Sequence, residues 1–283
     1  MTPPDDAQRR AYWAQQMDAG YELIERVIPF EVQECGERFA SLRDAAVETG
    51  VEMLFSDSKI AGSLDRVLFM RESLVQRVMD VGRDMNERGW ILKIEDGYRS
   101  LDMQGQLGRK PELFDLILQK CMWECGGEIP PVDLVFRRAN VLISNNPKVG
   151  THMSGSAIDV SVFRRDDGSE VWRGNSYLEM SERTPMRSPF VEPEAIQNRL
   201  EITAMLEARG FVHFPFEFWH FNQDDGMGHV LTSNPAPARF GPVHWDSKSN
   251  RVTPVDNPTN LLTPLPVIQR EIQAALLRAT RSG

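Results

Sequence analysis

The stretch that most constrains the fold runs from Thr151 to Val162 and reads THMSGSAIDVSV. It places His152 seven residues before Asp159, and Gly155 lies between them, where we expect a bend. From Ala157 onward, small or polar residues alternate with aliphatic ones, which is the period of a half-buried strand. On such a strand Asp159 points away from the core and into a cleft. The bend can return His152 to the same cleft, so this stretch predicts the first part of a metal site.

A second stretch, from Phe216 to Phe221, reads FEFWHF and sets Glu217 three residues before His220. In an ideal strand these two side chains would point to opposite faces, but Pro215 indicates that Glu217 still lies in a loop and can turn into the cleft. Together with the imidazole and carboxylate of the first stretch, His220 would leave a fourth tetrahedral position for water. That pattern is typical of catalytic zinc, because structural zinc sites are closed by four protein ligands. Glu217 is then the expected base beside the metal.

The composition is that of a globular protein with a hydrophobic core, since 41% of the 283 residues are hydrophobic and 26% are charged. The net charge of -9 and the lack of any Lys/Arg run argue against a nucleic-acid partner. An amphipathic segment follows the first ten residues, so we expect neither a signal peptide nor a membrane helix, and we predict a cytoplasmic location. The sequence does not predict the oligomeric state.

The three cysteines, Cys35, Cys121 and Cys125, are too few and too unevenly spaced for a disulfide framework. Cys121 and Cys125 are four residues apart on a predicted helix, so we interpret them as buried free thiols. No other cysteine or histidine is spaced to complete a metal site with them.

Hydrophobic periodicity predicts mainly helices around these two stretches. Residues 132–143 fit either a helix or a strand. Residues 175–193 form a long irregular segment, of the kind that serves as a lid or substrate wall. Helices are predicted at 7–29 with a break at Gly20, at 40–53, 74–89, 111–126, 193–210 and 267–278, and a strand at 90–94. We expect a helical N-terminal extension (1–55), a catalytic domain (56–235) and a C-terminal arm and helix (236–283) whose residues 236–265 are irregular.

Together these stretches resemble the D-alanyl-D-alanine dipeptidases of the VanX type and the related D,D-carboxypeptidases. The signatures of that family are a Ser-x-His-x-x-Gly-x-Ala-x-Asp run, a downstream Glu-x-Trp-His element and an upstream Gly-Tyr-Arg turn. Here Gly150 to Asp159 reads GTHMSGSAID, Glu217 to His220 reads EFWH, and Asp96 to Arg99 reads DGYR. The order and separations also agree, and the resemblance covers roughly residues 63–222.

The resemblance implies a zinc peptidase of the α+β class, in which a small antiparallel sheet carries the zinc site and helices pack on its back. It implies His152, Asp159 and His220 as zinc ligands and Glu217 as the catalytic base. Arg99 carries over as the cation that stabilises the tetrahedral intermediate, which fits the negative charge that peptide hydrolysis builds on the carbonyl oxygen.

Two departures from the family pattern concern the substrate. The family often has a serine two residues before the first histidine, where it helps to hold the amino end of the substrate, and this chain has Gly150. The dipeptidases carry an Asp-Met-Gly turn, whose nearest match here is Glu179-Met180-Ser181. Glu179 is therefore the candidate anchor for the substrate ammonium group, and Ser154 and Tyr98 are further candidates for substrate binding.

Other aromatic and histidine side chains near these motifs are interpreted as structural. Phe218 and Trp219 are expected to pack behind His220 and to fix it. Trp172 and Tyr177 are interpreted mainly as packing residues, although both are near enough to line the cleft. His213, His229 and His244 are interpreted as structural or exposed.

The resemblance predicts a hydrolase of cell-wall peptides that cleaves D-Ala-D-Ala or a similar D,D-dipeptide, with Zn2+ as cofactor and a small peptide ending in D-amino acids as partner. An alternative within the family is a D,D-carboxypeptidase or an endopeptidase acting on longer peptidoglycan peptides. An iron(II) oxygenase is a candidate from another class, but its triad usually has the carboxylate two residues after the first histidine. A metal-bearing binding module without catalysis would commonly have lost Glu217 or Arg99.

Overall fold

The structure, a computed structural model, describes residues 5–282 and has the α+β architecture that the sequence predicts. No helix among these residues is both long enough and apolar enough to cross a membrane. The helices are α1 (Asp6–Val27), α2 (Leu42–Thr49), α3 (Glu72–Glu87), α4 (Leu101–Leu107), α5 (Pro111–Glu124), α6 (Val132–Ile143), α7 (Pro193–Glu207), α8 (Gly226–Leu231) and α9 (Leu265–Ser282). The strands are β1 (Phe39–Ser41), β2 (Met53–Phe55), β3 (Phe69–Arg71), β4 (Trp90–Asp96), β5 (Ala157–Arg164), β6 (Val212–His213), β7 (His220–Asn222), β8 (Val243–Asp246) and β9 (Arg251–Pro254).

The central sheet has five strands in the order β2-β4-β5-β7-β6. Its strands pair antiparallel from β4 to β6, as expected, but the edge strand β2 runs parallel to β4. The chain between β2 and β4 includes α3, which makes the crossover that a parallel pair needs. The core on one side of the sheet joins Val78 of α3 and Leu206 of α7 to Leu92 and Val160 of the strands. The sheet is therefore backed by helices, as the resemblance implies.

The first helix is continuous through Gly20, where the sequence analysis predicted a break. That prediction was wrong, because the glycine serves close packing instead of a turn. A Cβ atom at Gly20 would lie 2.7 Å from Cγ1 of Val141, so only glycine lets α1 approach α6 this closely. Residues 132–143, which fit helix or strand in the sequence, form the helix α6.

The C-terminal segment is more regular than predicted. Residues 236–265 were expected to be irregular, but β8 and β9 form an antiparallel hairpin within them. The ring of Trp245 in β8 stacks on Phe39 of β1 at 5.0 Å and lies 4.8 Å from the ring of Phe69 in β3. Each strand of the hairpin has only four residues, too few for a clear alternating pattern. The domain boundaries at residues 56 and 236 remain a prediction.

The cysteines are free thiols, as predicted. Cys121 is buried inside α5, Cys125 lies half-buried at the end of that helix, and Cys35 is exposed. Burial raises the pKa of Cys121 to about 12, so this thiol stays protonated at neutral pH.

Candidate active site

Three buried side chains meet where β5 and β7 pair and where the chain enters β5. Asp159 of β5 and His220 of β7 are register partners in the antiparallel ladder. His152 belongs to a short 3-10 helix, Thr151–Ser154, that immediately precedes β5. One ligand atom from each of the three residues lies within 4.8 Å of the other two. The geometry that the two sequence motifs predict is therefore present.

The bend between His152 and Asp159 depends on Gly155, which adopts a left-handed conformation with φ of 71°. A Cβ atom at this position would lie 2.2 Å from Cε1 of Phe39, which no side chain can tolerate. The carbonyl oxygen of Gly155 accepts a hydrogen bond from the backbone N–H of Arg71 at 2.9 Å, which holds the turn against β3. The glycine therefore sets the position of His152 for both conformational and steric reasons.

Hydrogen bonds behind the two histidines orient their rings. Nδ1 of His152 lies 2.7 Å from the carbonyl oxygen of Gly97, which can only accept, so Nδ1 carries the proton. The other ring nitrogen, Nε2, faces Oδ1 of Asp159 at 3.3 Å. Nε2 of His220 lies 2.8 Å from Oγ1 of Thr151, and its Nδ1 faces the same oxygen of Asp159 at 2.9 Å. Backbone and hydroxyl partners of this kind are typical of histidines that bind metals.

The residues fit a metal ion chemically as well as geometrically. Nε2 of His152 and Oδ1 of Asp159 are both atoms that can bind a metal ion, and they face each other in a buried place. Two ligands of a tetrahedral zinc with bonds of about 2.0–2.1 Å are about 3.3 Å apart, close to the separations found here. Burial alone would raise the pKa of Asp159, but His152 and His220 hold it well below its ordinary range, so its carboxylate is ionised. His152, Asp159 and His220 thus form a candidate metal site, which we call the metal-binding cluster.

Arg99 lies at the edge of this cluster and is held by Asp96. Its Nε and Nη2 are each 2.7 Å from Oδ2 of Asp96, and Nη2 is 3.7 Å from Oδ2 of Asp159. A register shift in β4 after Ile94 sets Asp96 opposite Asp159. Nη1 of Arg66 lies 3.6 Å from the same oxygen of Asp96 and makes no hydrogen bond. The two guanidinium groups around one carboxylate leave net positive charge beside the cluster.

Glu217 lies in the turn between β6 and β7, as its neighbour Pro215 predicts. Its N–H donates to the carbonyl of Phe214 and its own carbonyl accepts from His220, both at 3.3 Å, so the turn is tight. The side chain lines the same cavity as the metal-binding cluster. Burial and the charge of Asp159 raise the pKa of Glu217 to about 8, although Arg99 opposes the shift. A carboxyl group with a pKa near neutrality is suited to proton transfer.

The substrate-binding candidates lie in different places. Glu179 is exposed at the rim of the cavity and contributes to its lining. Tyr98 and Ser154 do not line the cavity, because both are buried and bound within the protein. The hydroxyl of Tyr98 donates to the carbonyl of Val243 at 2.8 Å, and that of Ser154 donates to the carbonyl of Thr151 at 2.5 Å. The structure gives these two side chains supporting positions and does not bring them to the cavity.

Sequence reasoning missed the role of Tyr177, which it interpreted mainly as a packing residue. The phenolic hydroxyl donates to Oδ2 of Asp159 at 2.9 Å, and the ring meets the edge of Trp219 at 5.6 Å. Burial raises the pKa of Tyr177 well above its ordinary value, so the hydroxyl remains a donor. Its position in the long irregular segment was the available signal. Trp172, by contrast, is half exposed and lies outside the cavity lining.

A buried polar network behind the cluster was also missed. The hydroxyl of Ser156 donates to Oδ2 of Asp225 at 2.6 Å and lies 2.5 Å from that of Ser154. The other oxygen of Asp225 accepts from the amide of Asn222 at 2.7 Å and from the N–H of Gly228 at 2.9 Å. The network therefore ties the turn that carries His152 to the end of β7.

The sequence around this site is similar to a known peptidase family. The model of the D-ala-D-ala dipeptidase family matches residues 134–235, a range that contains the metal-binding cluster and Glu217 but not Arg99. A D-alanyl-D-alanine dipeptidase of Escherichia coli (strain K12) is 34% identical over 83 residues, which cover 29% of this chain and 42% of the relative. One of Enterococcus faecium is 32% identical over 90 residues, which cover 32% of this chain and 41% of the relative.

The matched stretch thus spans about two fifths of the length of these relatives. It coincides with the part of the chain that carries His152, Asp159, Glu217 and His220, and the resemblance inferred from the sequence motifs is confirmed. Residues 134–235 of this chain are therefore similar to the D-ala-D-ala dipeptidase family.

Proposed function

We propose that this chain is a zinc-dependent peptidase that hydrolyses D-Ala-D-Ala or a closely similar D,D-dipeptide. The observation that carries the proposal is the meeting of a buried metal-binding cluster with Glu217 and Arg99 on the wall of one cavity. The names of the matched relatives support the substrate class. Zinc is favoured over magnesium or calcium because two of the three ligands are imidazoles, and those two ions prefer oxygen.

Zinc held by His152, Asp159 and His220 would supply a Lewis acid for the scissile carbonyl group and for water. The protein side chains then divide the remaining work. Glu217 takes a proton from the attacking water on a carboxylate oxygen and returns it to the nitrogen of the leaving D-alanine. The raised pKa of Glu217 supports both transfers, since the group can be deprotonated and reprotonated near neutral pH.

Arg99 is proposed to stabilise the negative charge that develops on the carbonyl oxygen. Asp96 and Asp159 raise the pKa of Arg99 although burial opposes them, so the guanidinium keeps its charge throughout. Its bonds to Asp96 orient it before any substrate arrives, which is the condition under which such donors are most effective. Glu179, at the rim, stays the candidate for the free amino end of a dipeptide.

A D,D-carboxypeptidase acting on longer peptides is a second candidate, and the size of the cavity, about 1080 Å³, favours it. The oxygenase and the non-catalytic binding module have less support, because neither gives Glu217 and Arg99 a task. A cytoplasmic location stays a prediction.

The test is D-alanine release by the zinc-loaded protein from D-Ala-D-Ala and, in parallel, from a pentapeptide ending in it. Glu217→Gln should lower release by about 100- to 10,000-fold while the variant still binds zinc. Glu194→Gln, at an exposed position at the start of α7, is the matched control and should leave release unchanged. Cleavage of the pentapeptide alone would favour the carboxypeptidase. If zinc is bound and neither substrate is cut, the D,D assignment fails.

A further inference from the structure

The cavity beside the metal-binding cluster is much larger than a dipeptide requires. Its volume is about 1080 Å³. Pockets of about 300–1,000 Å³ bury drug-sized ligands, whereas D-Ala-D-Ala has only about eleven non-hydrogen atoms. Most of the cavity would therefore remain unfilled by a free dipeptide bound at Asp159 and Glu217.

The part of the cavity formed by α5, α6 and the long irregular segment is lined mainly by apolar side chains, with polar exceptions such as Gln119, Lys120 and Asn140. We call it the apolar arm. Its walls include Leu113 and Leu116 from α5, Val141 and Ile143 from α6, and Leu178 and Met180 from the irregular segment. Two of these leucines are well exposed: the exposed fraction is 56% for Leu116 and 44% for Leu178. Exposed apolar side chains that converge on a cavity next to a reactive centre mark a site for an apolar ligand group.

Leu178 is held at the wall of this arm in an unfavourable backbone conformation. Its φ is 65°, in the left-handed region that leucine rarely adopts. The neighbours on both sides fix it: the hydroxyl of Tyr177 binds Asp159, and the carbonyl of Glu179 accepts a hydrogen bond from Oγ1 of Thr184 at 2.5 Å. Backbone strain that neighbouring contacts maintain is typical of residues at functional sites.

The charged groups that line the cavity include the cations Arg66, Lys110 and Lys120 besides Arg99. On the Oδ2 side of Asp159 lie the guanidinium of Arg99 and the hydroxyl of Tyr177. On the other side, the ring of Phe214 lies 5.8 Å from that of His220. Apart from Asp159 and Glu217, the carboxylates that line the cavity are those of Glu112 and Glu179, and both residues are exposed. A free ammonium group in the apolar arm would therefore find no buried carboxylate partner.

We propose that the chain acts on D,D-dipeptide units whose amino end is blocked by a large apolar group, such as an acyl chain. The apolar group lies in the arm formed by α5, α6 and Leu178, and the carboxyl end lies on the side of Arg99. This proposal rests on the D,D-peptidase chemistry of the proposed function and replaces the free dipeptide by an N-blocked unit as the substrate. Glu179 then faces solvent at the rim and is not needed as an ammonium anchor.

The experiment compares N-octanoyl-D-Ala-D-Ala with N-acetyl-D-Ala-D-Ala, which have the same charge and differ only in apolar length. Binding is measured by calorimetry on the zinc-loaded Glu217→Gln protein, where turnover does not interfere. The octanoyl compound should bind at least about tenfold more tightly, since burying two extra methylene groups already gives about that factor. Equal affinities, or tighter binding of the acetyl compound, would overturn the proposal.

A matched pair of leucine variants locates the effect. Leu116→Ser in the same background should reduce the octanoyl-to-acetyl affinity ratio at least threefold. Leu277→Ser is the control, because Leu277 is 60% exposed on α9 and does not line the cavity. An unchanged ratio in Leu116→Ser, or an equal loss in both variants, would contradict the assignment of the arm.

Hydrolysis by the protein with Glu217 intact separates the two proposals. Release of D-alanine from D-Ala-D-Ala together with exclusion of the octanoyl compound would support the proposed function and refute the apolar-group inference. Selective binding of the octanoyl compound without hydrolysis of any D,D substrate would refute the proposed function and would support the arm only as a binding site for the apolar group. Faster cleavage of the octanoyl than of the acetyl compound would support both.

Discussion

Oδ1 of Asp159 lies 2.9 Å from Nδ1 of His220, and the two residues are register partners on neighbouring antiparallel strands. Nε2 of His152 faces the same oxygen at 3.3 Å, although it comes from a turn before the strand. Two ring nitrogens and a carboxylate oxygen therefore converge on the wall of the cavity. A cation is the partner that such a group lacks.

Zinc should stabilise the fold strongly through this cluster. At a free zinc concentration of about 1,000 times the dissociation constant, binding adds about 4 kcal/mol of folding free energy, which raises the Tm by roughly 10 °C in a chain of this size. The measurement is thermal unfolding of chelator-treated protein with and without added zinc. His152→Ala should lose the shift. His213→Ala, which changes a histidine paired with Glu207 outside the cluster, should keep it. A zinc shift that survives in His152→Ala would exclude the cluster as the site.

Arg99→Met should lower kcat by about 100- to 1,000-fold with little change in KM, because the lost interaction forms mainly in the transition state. Steady-state kinetics with the best D,D substrate gives both constants. Arg187→Met, at an exposed position, serves as the control and should match the unaltered protein. A raised KM with unchanged kcat would instead assign Arg99 to ground-state binding.

Gly155→Ala should be much more destabilising than Gly168→Ala, although both glycines have φ near 70°. Each alanine incurs the conformational cost of the left-handed region, about 1–2 kcal/mol. At Gly155 the added Cβ would also collide with Phe39, and this overpacking costs about 1–3 kcal/mol more. At Gly168 nothing lies within 4 Å of the Cβ position, so no such cost arises. Urea unfolding of the two variants measures the difference. Equal losses of stability would show that the turn before β5 can relax.

In the metal-free protein, Glu217 should make stability fall as the pH rises. Its pKa is raised from 4.5 in the unfolded chain to about 8 in the folded protein, so the folded state binds the proton more tightly. The resulting stabilisation is complete below about pH 4.5 and is lost as the pH rises through about 8. Glu217→Gln carries an amide that does not titrate in this range.

The comparison to make is the Tm of chelator-treated wild type and Glu217→Gln between pH 5 and pH 9. The wild-type curve should fall relative to that of the variant as the pH increases. Parallel curves would mean that the carboxyl group is better solvated in the folded state than its burial indicates.

Much of the site follows from local sequence. Strand alternation places Asp159 opposite the core, a glycine at the bend returns His152, and a proline keeps Glu217 out of the following strand. Each of these features depends only on the backbone geometry of a short segment, so the sequence of that segment is enough to predict it. The helices α3, α5 and α7 were predictable for the same reason, since α3 has a clear apolar face and α5 and α7 each begin at a proline.

Other parts of the site depend on partners that are distant in sequence. The hydroxyl of Thr151 orients His220 across 69 residues, and the carbonyl of Gly97 orients His152 across 55. The bond from Tyr177 to Asp159 and the approach of Arg66 to Asp96 likewise join different elements. The hydrophobic periodicity of the sequence does not reveal such contacts, because they are determined by how strands and loops pack.

The sequence by itself determined which side chains are candidates for the chemistry, because residue type and local backbone geometry decide whether a carboxylate or an imidazole can face a cleft. The tertiary structure alone decided the size and apolar character of the cavity. Its walls come from α5, α6 and the segment around Leu178, which lie far apart along the chain. Their approach depends on the packing of whole helices, including the contact of Gly20 with Val141. For that reason the sequence predicted the reaction, while only the fold points to the form of the substrate.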